Sequence, residues 1–262
     1  MNDLIIIALA GFTTGMTTVL FGFGGGFVVV PFVYQLLVRQ PPLASDAMHI
    51  AVATSTAVMI FNAGWVSFQN WRAGRLSLPI LFPLLWFIAV GAVAGSWLAG
   101  ILSEVLIREL FIFYMLMTIG DCLLRKGFFS GNAPRRLSLL TVTGGGMLIG
   151  TIAALLGVGG SVMTVPLLRR HGHTMRECIS AANPLSLPVA LCGAVTYAIS
   201  GWHKISAGGF VGFISLKILG LLLVAGWAGI VFSRRVIPAV PDFWHARIYV
   251  MLLCMVLVAM LL

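Results

Sequence analysis

Charged residues are scarce in this chain. Only 9% of its 262 residues are charged, and Asp and Glu together number seven, whereas 60% of the residues are hydrophobic. A soluble domain carries about 25% charged residues, so this chain lacks the polar side chains that would cover a water-facing surface. The composition therefore excludes an ordinary soluble protein. It indicates an integral membrane protein with room for about eight to ten membrane segments.

Motifs for metal, redox or nucleotide chemistry are also missing from the sequence. The four cysteines are scattered without a Cys-x-x-Cys spacing, and no Gly-x4-Gly-Lys-Ser/Thr motif for ATP is present. His171 and His173 lie close together but have no third metal ligand nearby in the sequence. No ordered set of catalytic residues can be assigned to a membrane segment. We therefore expect neither an enzyme nor a bound metal or cofactor.

Glycine clusters, prolines and charges divide the hydrophobic sequence into runs that occur in the same order twice. In each half the order is a long run, a short run and three more long runs. A hydrophilic stretch, RKGFFSGNAPRR at residues 125–136, separates the halves. We predict a first membrane repeat at residues 1–124, a cytoplasmic linker at residues 125–136, and a second membrane repeat at residues 137–262.

A glycine motif recurs between the first run and the short run of each half. GFGGGFVVVP ends at Pro31, and GVGGSVMTVP ends at Pro166. When residues 11–31 are set against residues 146–166 without gaps, eight of 21 positions are identical, including five glycine pairs. The sequence therefore predicts an internal duplication. Paired interrupted helices in the two halves of a duplicated membrane protein indicate a transporter substrate site.

Basic residues indicate how the chain crosses the membrane, because cytoplasmic loops are enriched in Lys and Arg. If each glycine cluster is a turn that sends the short run back, twelve basic residues fall on one side and three on the other. If each short run continues the preceding helix, the split is seven against eight. The first arrangement is favoured, and it makes the repeats inverted and places both termini in the periplasm. The net charge of +9 then reflects topology, and no nucleic-acid partner is expected.

The two glycine turns are predicted to bind an anion. A helix of about 8–12 residues cannot span a hydrocarbon core of about 30 Å, so each turn must lie within the membrane. The helix that follows each turn presents unpaired N–H groups and a partial positive charge, which favour anions. The residues assigned to the site from the two turns are Gly22, Gly24, Gly25, Gly26, Gly157, Gly159, Gly160 and Ser161.

Polar side chains of later runs are candidates to complete the anion site. Thr54 and Ser55 are hydroxyl donors in the third run, and Asn183 is an amide in the equivalent stretch of the second half. Lys217 is the eleventh residue of a run that begins at residue 207, where it would neutralise a bound anion. The alternatives are helix packing for the uncharged residues and a position at the membrane surface for Lys217.

These motifs resemble those of the TauE/SafE family of sulfite and sulfonate exporters. The features that carry the resemblance are GFGGGFVVVPFV with the later AVATSTAVMIFNAG, and GVGGSVMTVPLL with the later ISAANPLSLPVALCG. The likeness covers essentially the whole chain, although Ser161 stands where the first half has a third glycine. It implies a bacterial inner-membrane permease that is built from two related halves and moves sulfite, sulfonates or other small anions.

Sequence and resemblance together predict an all-α polytopic membrane protein with two inverted repeats, each with a glycine-turn helix pair and three spanning helices. The predicted function is a secondary transporter in the lipid bilayer that exports sulfite or an organosulfonate by alternating access. A homodimer is left open. The alternative function is a channel or transporter for a cation or a neutral organic compound. A cation pathway would require acidic residues that face the membrane centre.

Overall fold

The chain is almost entirely helical in the computed structural model, which describes residues 2–76, 78–124, 128, 135, 137–202, 208–238 and 240–261. The first half forms α1 (Asn2–Phe21), α2 (Gly26–Leu37), α3 (Ala47–Arg72), α4 (Leu78–Ala99) and α5 (Glu104–Leu124). The second half forms α6 (Gly146–Leu156), α7 (Ser161–Arg170), α8 (Met175–Ser200), α9 (Leu216–Val236) and α10 (Asp242–Leu261). The smaller elements are a 3₁₀ turn at Ala44–Asp46, a π-helical stretch at Thr141–Gly145, and a hairpin of β1 (Phe210–Val211) and β2 (Ile214–Ser215).

Six helices among the described residues are long and apolar enough to cross a membrane, namely α1, α3, α4, α8, α9 and α10. Helix α5 has 21 residues but carries four charged side chains, and α2 is a shorter apolar helix. These observations confirm the predicted all-α polytopic membrane protein. Of the predicted linker, only Phe128 and Arg135 lie among the described residues. The division into two repeats stays a prediction, although five helices follow each other in the same order on either side of it.

Glycines hold helices of the two halves in close contact. α1 packs along α9, where a side-chain carbon added to Gly15 would overlap the carbonyl oxygen of Gly226. α4 packs along α6, where a carbon added to Gly91 would overlap the carbonyl oxygen of Met147. In a membrane, helices associate mainly by close packing, which small residues allow. The two halves therefore interlock through backbone contact and do not form separate bodies.

After the second glycine turn, the chain returns to the side of the protein on which α6 began. The backbone N–H of Arg135, which precedes α6, donates to the carbonyl oxygen of His171, which follows α7, at 2.8 Å. Helices α6 and α7 therefore form an interrupted pair that enters and leaves on one face. This is the arrangement that the distribution of basic residues favours.

The short helices α2 and α7 end near opposite ends of α10. Gln35, near the end of α2, donates from Nε2 to the carbonyl oxygen of Ala259 at 2.9 Å. Arg169, near the end of α7, pairs with Asp242, the first residue of α10. Helix α10 has 20 residues and is therefore about 30 Å long. The two glycine-turn pairs thus have inverted directions relative to α10.

One predicted run is divided differently in the structure. The sequence predicts a continuous run at residues 207–232, but residues 210–215 form the β hairpin and α9 begins at Leu216. Gly209 and Gly212 have φ of 92° and 57°, and these positive values permit the tight reversal of the chain. Lys217 therefore lies in the first turn of α9 and is exposed. The sequence predicts Lys217 well inside a continuous apolar run, and this prediction is wrong because Lys217 is the second residue of α9.

Candidate functional site

The two glycine turns are buried, and their backbone conformations match at the first two glycine pairs but differ at the third, where Gly25 has a φ of 101° and Gly160 one of −66°. Gly24 in the first turn has a φ of 65°, and Gly159 in the second has a φ of 72°. A side chain is strained at such positive φ values, so glycine allows the chain to turn between two helices here. All residues of 22–26 and 157–161 are buried. Each turn is therefore enclosed by the protein, as an irregular backbone within a membrane must be.

The two turns meet through Ser55 of α3. The hydroxyl of Ser55 lies 2.7 Å from the carbonyl oxygen of Gly157 and 3.2 Å from that of Gly26. A side-chain carbon added to Gly26 would lie 2.6 Å from the Gly157 carbonyl oxygen. Glycine at position 26 is therefore required for the close approach of the turns. This contact places the predicted site residues of the two halves together.

The space between the turns is occupied by Met59 of α3, which is fully buried. A carbon added to Gly26 would overlap the Met59 sulfur, and one added to Gly159 would lie 3.1 Å from it. Ser186 of α8 closes the other side, because its Oγ would lie 3.2 Å from a carbon on Gly159. An unbranched thioether changes rotamer easily. Met59 therefore fills the space between the turns.

Both helices that follow the turns begin without a side-chain cap. Gly25 precedes α2 and Gly160 precedes α7, and neither helix has a capping hydrogen bond from a side chain. By contrast, α8 begins at the protein surface with a complete capping box between Thr174 and Glu177. The first N–H groups of a helix have no partner within the helix. Two sets of such donors, each with a partial positive charge, therefore lie beside the same buried space.

Three buried donors near the turns have no hydrogen-bond partner, namely Ser161 Oγ, Asn62 Nδ2 and Thr14 Oγ1. Ser161 is the first residue of α7. Asn62 and Thr14 lie against the first turn, because a carbon added to Gly25 would lie 3.1 Å from Asn62 Nδ2 and 3.0 Å from Thr14 Cγ2. A buried donor without a partner costs about 1–3 kcal/mol. This cost is recovered if an acceptor-rich ligand binds there.

Tyr249 of α10 contacts the first glycine turn and the start of α7. Its hydroxyl donates to the carbonyl oxygen of Val162 in the first turn of α7 at 3.1 Å. Its ring centroid lies 5.1 Å from that of Phe23 in the first glycine turn. Tyr249 is fully buried. A single side chain of α10 therefore fixes the start of α7 relative to the first turn.

Other predicted site residues lie near the turns but face other partners. Thr54 accepts a hydrogen bond at Oγ1 from the backbone N–H of Ser215, at the end of the β hairpin, at 3.2 Å. Asn183 donates from Nδ2 to the carbonyl oxygen of Thr18 at 3.2 Å, so one of its two amide N–H groups is already used. Gly22 lies against α8, where an added carbon would approach Ala182 at 3.1 Å. Thr54 and Asn183 therefore face other partners, and Gly22 packs the first turn against α8, whereas Ser55 contacts both turns.

The structure does not bring Lys217 to the glycine turns. Gly226 of α9 lies beside Asn62, because an added carbon would be 3.2 Å from Asn62 Nδ2. Lys217 is nine residues earlier in α9, which is about 13 Å along the helix axis. It is exposed and occupies the first turn of that helix. Its role in anion binding stays a prediction that this placement does not support.

Met59, Tyr249 and the donor role of Asn62 are not predicted from the sequence. Met59 and Tyr249 belong to apolar segments whose composition is that of any buried helix. Asn62 and Thr14 stand in such segments too, and the sequence indicates interhelical hydrogen bonding for Asn62 and packing for Thr14. In the folded chain both lie against the first turn, and Asn62 Nδ2 and Thr14 Oγ1 have no hydrogen-bond partner there.

The fold and site define a multi-pass helical membrane protein in which two interrupted helix pairs meet in the interior. Residues 7–260 match the family described as Sulfite exporter TauE/SafE, and the chain belongs to this family. This confirms the resemblance that the glycine motifs carry. The fold and family are those of a membrane transporter.

Two curated relatives illustrate the similarity. The chain is 27% identical over 207 residues to a "Probable membrane transporter protein" of Haemophilus influenzae, which covers 76% of this chain and 74% of that protein. It is 19% identical over 247 residues to a "Probable membrane transporter protein" of Methanocaldococcus jannaschii, which covers 89% of this chain and 87% of that protein. No solved structure matches the chain.

Proposed function

We propose that this protein is a secondary transporter that exports a small anion, with sulfite or an organosulfonate as the expected substrate. The anion binds between the two glycine turns, held by the first-turn amides of α2 and α7. The observation that carries the proposal is the meeting of two buried helix N-termini, one from each half, neither of which has a side-chain cap. Family membership supports the sulfur oxyanion as substrate.

The electrostatics of the site favour an anion over a cation. Each helix N-terminus is equivalent to about half a positive charge, so two together offset roughly one negative charge. The unpartnered hydroxyl of Ser161 and amide of Asn62 add hydrogen-bond donors of the type an oxyanion accepts. No Lys or Arg side chain is needed for this binding, so the anion is held weakly enough to leave again.

Among the residues whose side chains the structure describes, the acidic groups lie away from the turns. Asp46, Glu104 and Asp242 stand at or just before the first residues of helices α3, α5 and α10. Glu109 is exposed, Asp121 pairs with Arg170, and Glu177 caps α8. A cation site at the turns would require a carboxylate there. This placement supports the anion transporter over the alternative of a cation pathway.

The proposed mechanism is movement of one glycine-turn pair relative to the other. Ser55 bonds to both turns, so α3 links the pair α1–α2 to the pair α6–α7. Breaking the bond between Ser55 and Gly157 on one side of the anion would open a path to one face of the membrane, as alternating access requires. An inside-negative potential favours exit of an anion by about 2.3 kcal/mol per charge per 100 mV. Export therefore needs no ATP.

Flux measurements in proteoliposomes test this function. The purified chain is reconstituted and assayed with sulfite, sulfate, thiosulfate and an organosulfonate, with a membrane potential of either sign. We expect flux of at least one of these anions, and we expect Gly26→Ala to lower it at least about tenfold, equivalent to 1.4 kcal/mol. The reason is that an added carbon at Gly26 overlaps Met59 and approaches Gly157.

Gly220→Ala is the matched control, because a carbon added there meets no atom within 4 Å and the flux should stay unchanged. Flux of a cation or a neutral solute without flux of any of the four anions contradicts the proposal. Equal loss of flux in both glycine variants shows a general effect on folding, and it also counts against a specific role of the turns.

A further inference from the structure

A cluster of titratable side chains lies outside the glycine turns, where the first residues of α3 and α5 meet. His49 Nδ1 lies 2.9 Å from Glu104 Oε1, and Asp46 completes a group whose ligand atoms are within 4.8 Å of one another. The side chains of His49 and Glu104 are 10% and 21% exposed. They are thus enclosed enough for their charges to matter and still accessible to protons from water.

Glu104 fastens the start of α3 to α5. Its carboxylate accepts hydrogen bonds from the backbone N–H of Met48 at 3.3 Å and of His49 at 3.0 Å, in addition to the contact with the imidazole. A negative charge at a helix N-terminus is favourable, so the Glu104 carboxylate stabilises the start of α3. The other member of the pair is an imidazole, and histidine is the side chain whose charge ordinarily changes between about pH 5 and 8.

His49 is connected to the glycine turns through the β hairpin and α3. Its ring stacks on Phe213 of the hairpin, with centroids 5.1 Å apart. Two residues further on, the backbone N–H of Ser215 donates to Thr54 Oγ1. The next residue of α3, Ser55, bonds to both turns. A change in charge at His49 therefore acts on the helix that holds the two turns together.

We propose that His49 and Glu104 form a proton-binding site on this face of the transporter, and that proton binding there is coupled to anion movement through α3. The inference rests on the function proposed above and adds proton binding as a control of it. With His49 protonated, an ion pair holds α3 to α5, and this face stays closed. With His49 neutral, a hydrogen bond remains and the ion pair is lost, so α3 separates from α5 more easily. Transport is then faster when this face is at higher pH.

A proton fits the cluster better than a metal ion does. Both oxygens of Glu104 already accept hydrogen bonds from backbone N–H groups. The partial positive charge at the start of α3 also repels a divalent cation beside it. Among the described residues, the titratable groups that face His49 are Asp46 before α3, Glu104 of α5 and Tyr197 of α8, whose ring centroid lies 6.2 Å away. The ring of Phe213 covers the side toward the hairpin.

The test compares wild type, His49→Gln and Glu104→Gln in proteoliposomes whose internal and external pH are set. An outward gradient of an organosulfonate is applied, because a sulfonate stays ionised over this pH range whereas sulfite itself gains a proton. Initial anion flux is measured with this face at pH values from 5 to 8. We expect wild-type flux to rise with the pH on this face. We expect His49→Gln to flatten this pH profile while downhill anion flux continues, and Glu104→Gln should have the same effect.

His173→Gln is the matched control, because His173 forms a similar pair with Glu177 at 3.6 Å in the connection between α7 and α8. It should keep the wild-type pH profile. Anion flux with an unchanged pH profile in His49→Gln overturns the inference and leaves the anion function intact. Absence of any anion flux in wild type instead contradicts the proposed function. Inhibition by a chelator that is absent in Glu104→Gln would identify a metal site and also overturn the inference.

Direct observation of the histidine provides a readout that does not depend on flux. In histidine-labelled protein in lipid nanodiscs, the NMR signal lost in His49→Gln identifies His49. We expect this signal to titrate between pH 5 and 8, to move in Glu104→Gln, and to change when sulfite is added. A His49 signal that is constant over this pH range, or one that titrates but ignores both the Glu104 change and sulfite, contradicts the proposal.

Discussion

The hydroxyl of Ser55 lies 2.7 Å from the carbonyl oxygen of Gly157, 102 residues away in the chain. This hydrogen bond joins the third helix of the first half to the glycine turn of the second. The same hydroxyl lies 3.2 Å from the carbonyl oxygen of Gly26. One small side chain therefore sets the distance between the two turns that form the proposed anion site.

Removing this link is expected to impair transport more than stability. Ser55→Ala deletes the contacts of this hydroxyl with both turns and leaves the carbonyls of Gly157 and Gly26 without that donor, at a cost of about 1–3 kcal/mol. Because the turns lose their shared contact, we expect anion flux to fall about tenfold or more. Flux in proteoliposomes and thermal unfolding in detergent measure the two effects. Ser180→Ala is the control, because Ser180 bonds only within α8, to Glu177, and should leave flux unchanged.

The hydroxyl of Ser161 is expected to act only when an anion is bound. Ser161 Oγ is buried and has no partner, so Ser161→Ala removes no existing hydrogen bond and should not lower the unfolding temperature. A hydrogen bond to a charged ligand contributes about 1.5–3 kcal/mol, so KM for the anion should rise about tenfold or more. Titration of initial flux against anion concentration measures this. A clear loss of stability with an unchanged KM would show that Ser161 is a packing residue.

Two substitutions of Met59 are expected to distinguish an effect on anion entry from an effect on the stability of the fold. Met59→Leu keeps the volume but is branched and less flexible, so we expect a lower maximal flux with little loss of stability. Met59→Ala empties the space between the turns, and a buried Met-to-Ala change costs about 2–5 kcal/mol. Flux and unfolding temperature are measured for both. Met255→Ala, at a site that is 58% exposed, is the control for loss of a methionine side chain. Unchanged flux in Met59→Leu would argue that this side chain does not move during transport.

The orientation in the membrane is tested with a reporter at the C-terminus. The charge pattern predicts that both termini are periplasmic, because the turns reverse the chain in each half. We expect alkaline phosphatase fused after residue 262 to be active and green fluorescent protein fused there to be dark. The opposite result would invert the whole topology and place the His49–Glu104 pair on the cytoplasmic side.

Helix positions follow closely from the sequence, because glycine, proline and charge interrupt otherwise continuous apolar runs. The short run that follows each glycine motif is predicted at residues 27–38 and 161–168, and the structure has helices there at Gly26–Leu37 and Ser161–Arg170. The failure at residues 208–215, where a helix is expected, has a local cause. An apolar composition suits a buried hairpin as well as a helix, and only the positive φ of Gly209 and Gly212 decides between them.

Side-chain direction is the part of the site that the sequence does not determine. Thr54 and Ser55 are neighbours in α3 and are equally suitable donors, but successive helical residues point about 100° apart. Ser55 therefore faces the turns, while Thr54 faces the hairpin. Met59 and Tyr249 reach the site by contacts between segments far apart in the chain. Such contacts cannot be predicted from the composition of the segments.

The proposed ligand-holding groups are mostly main-chain amides, which every residue except proline supplies. A point substitution can shift these amides but seldom deletes one, so the capacity to hold a negative charge is robust to mutation. The neighbouring hydroxyl, amide and thioether side chains have no such protection. Relatives with the same two turns can therefore differ in which anion they bind, while the main-chain amides that bind it stay the same.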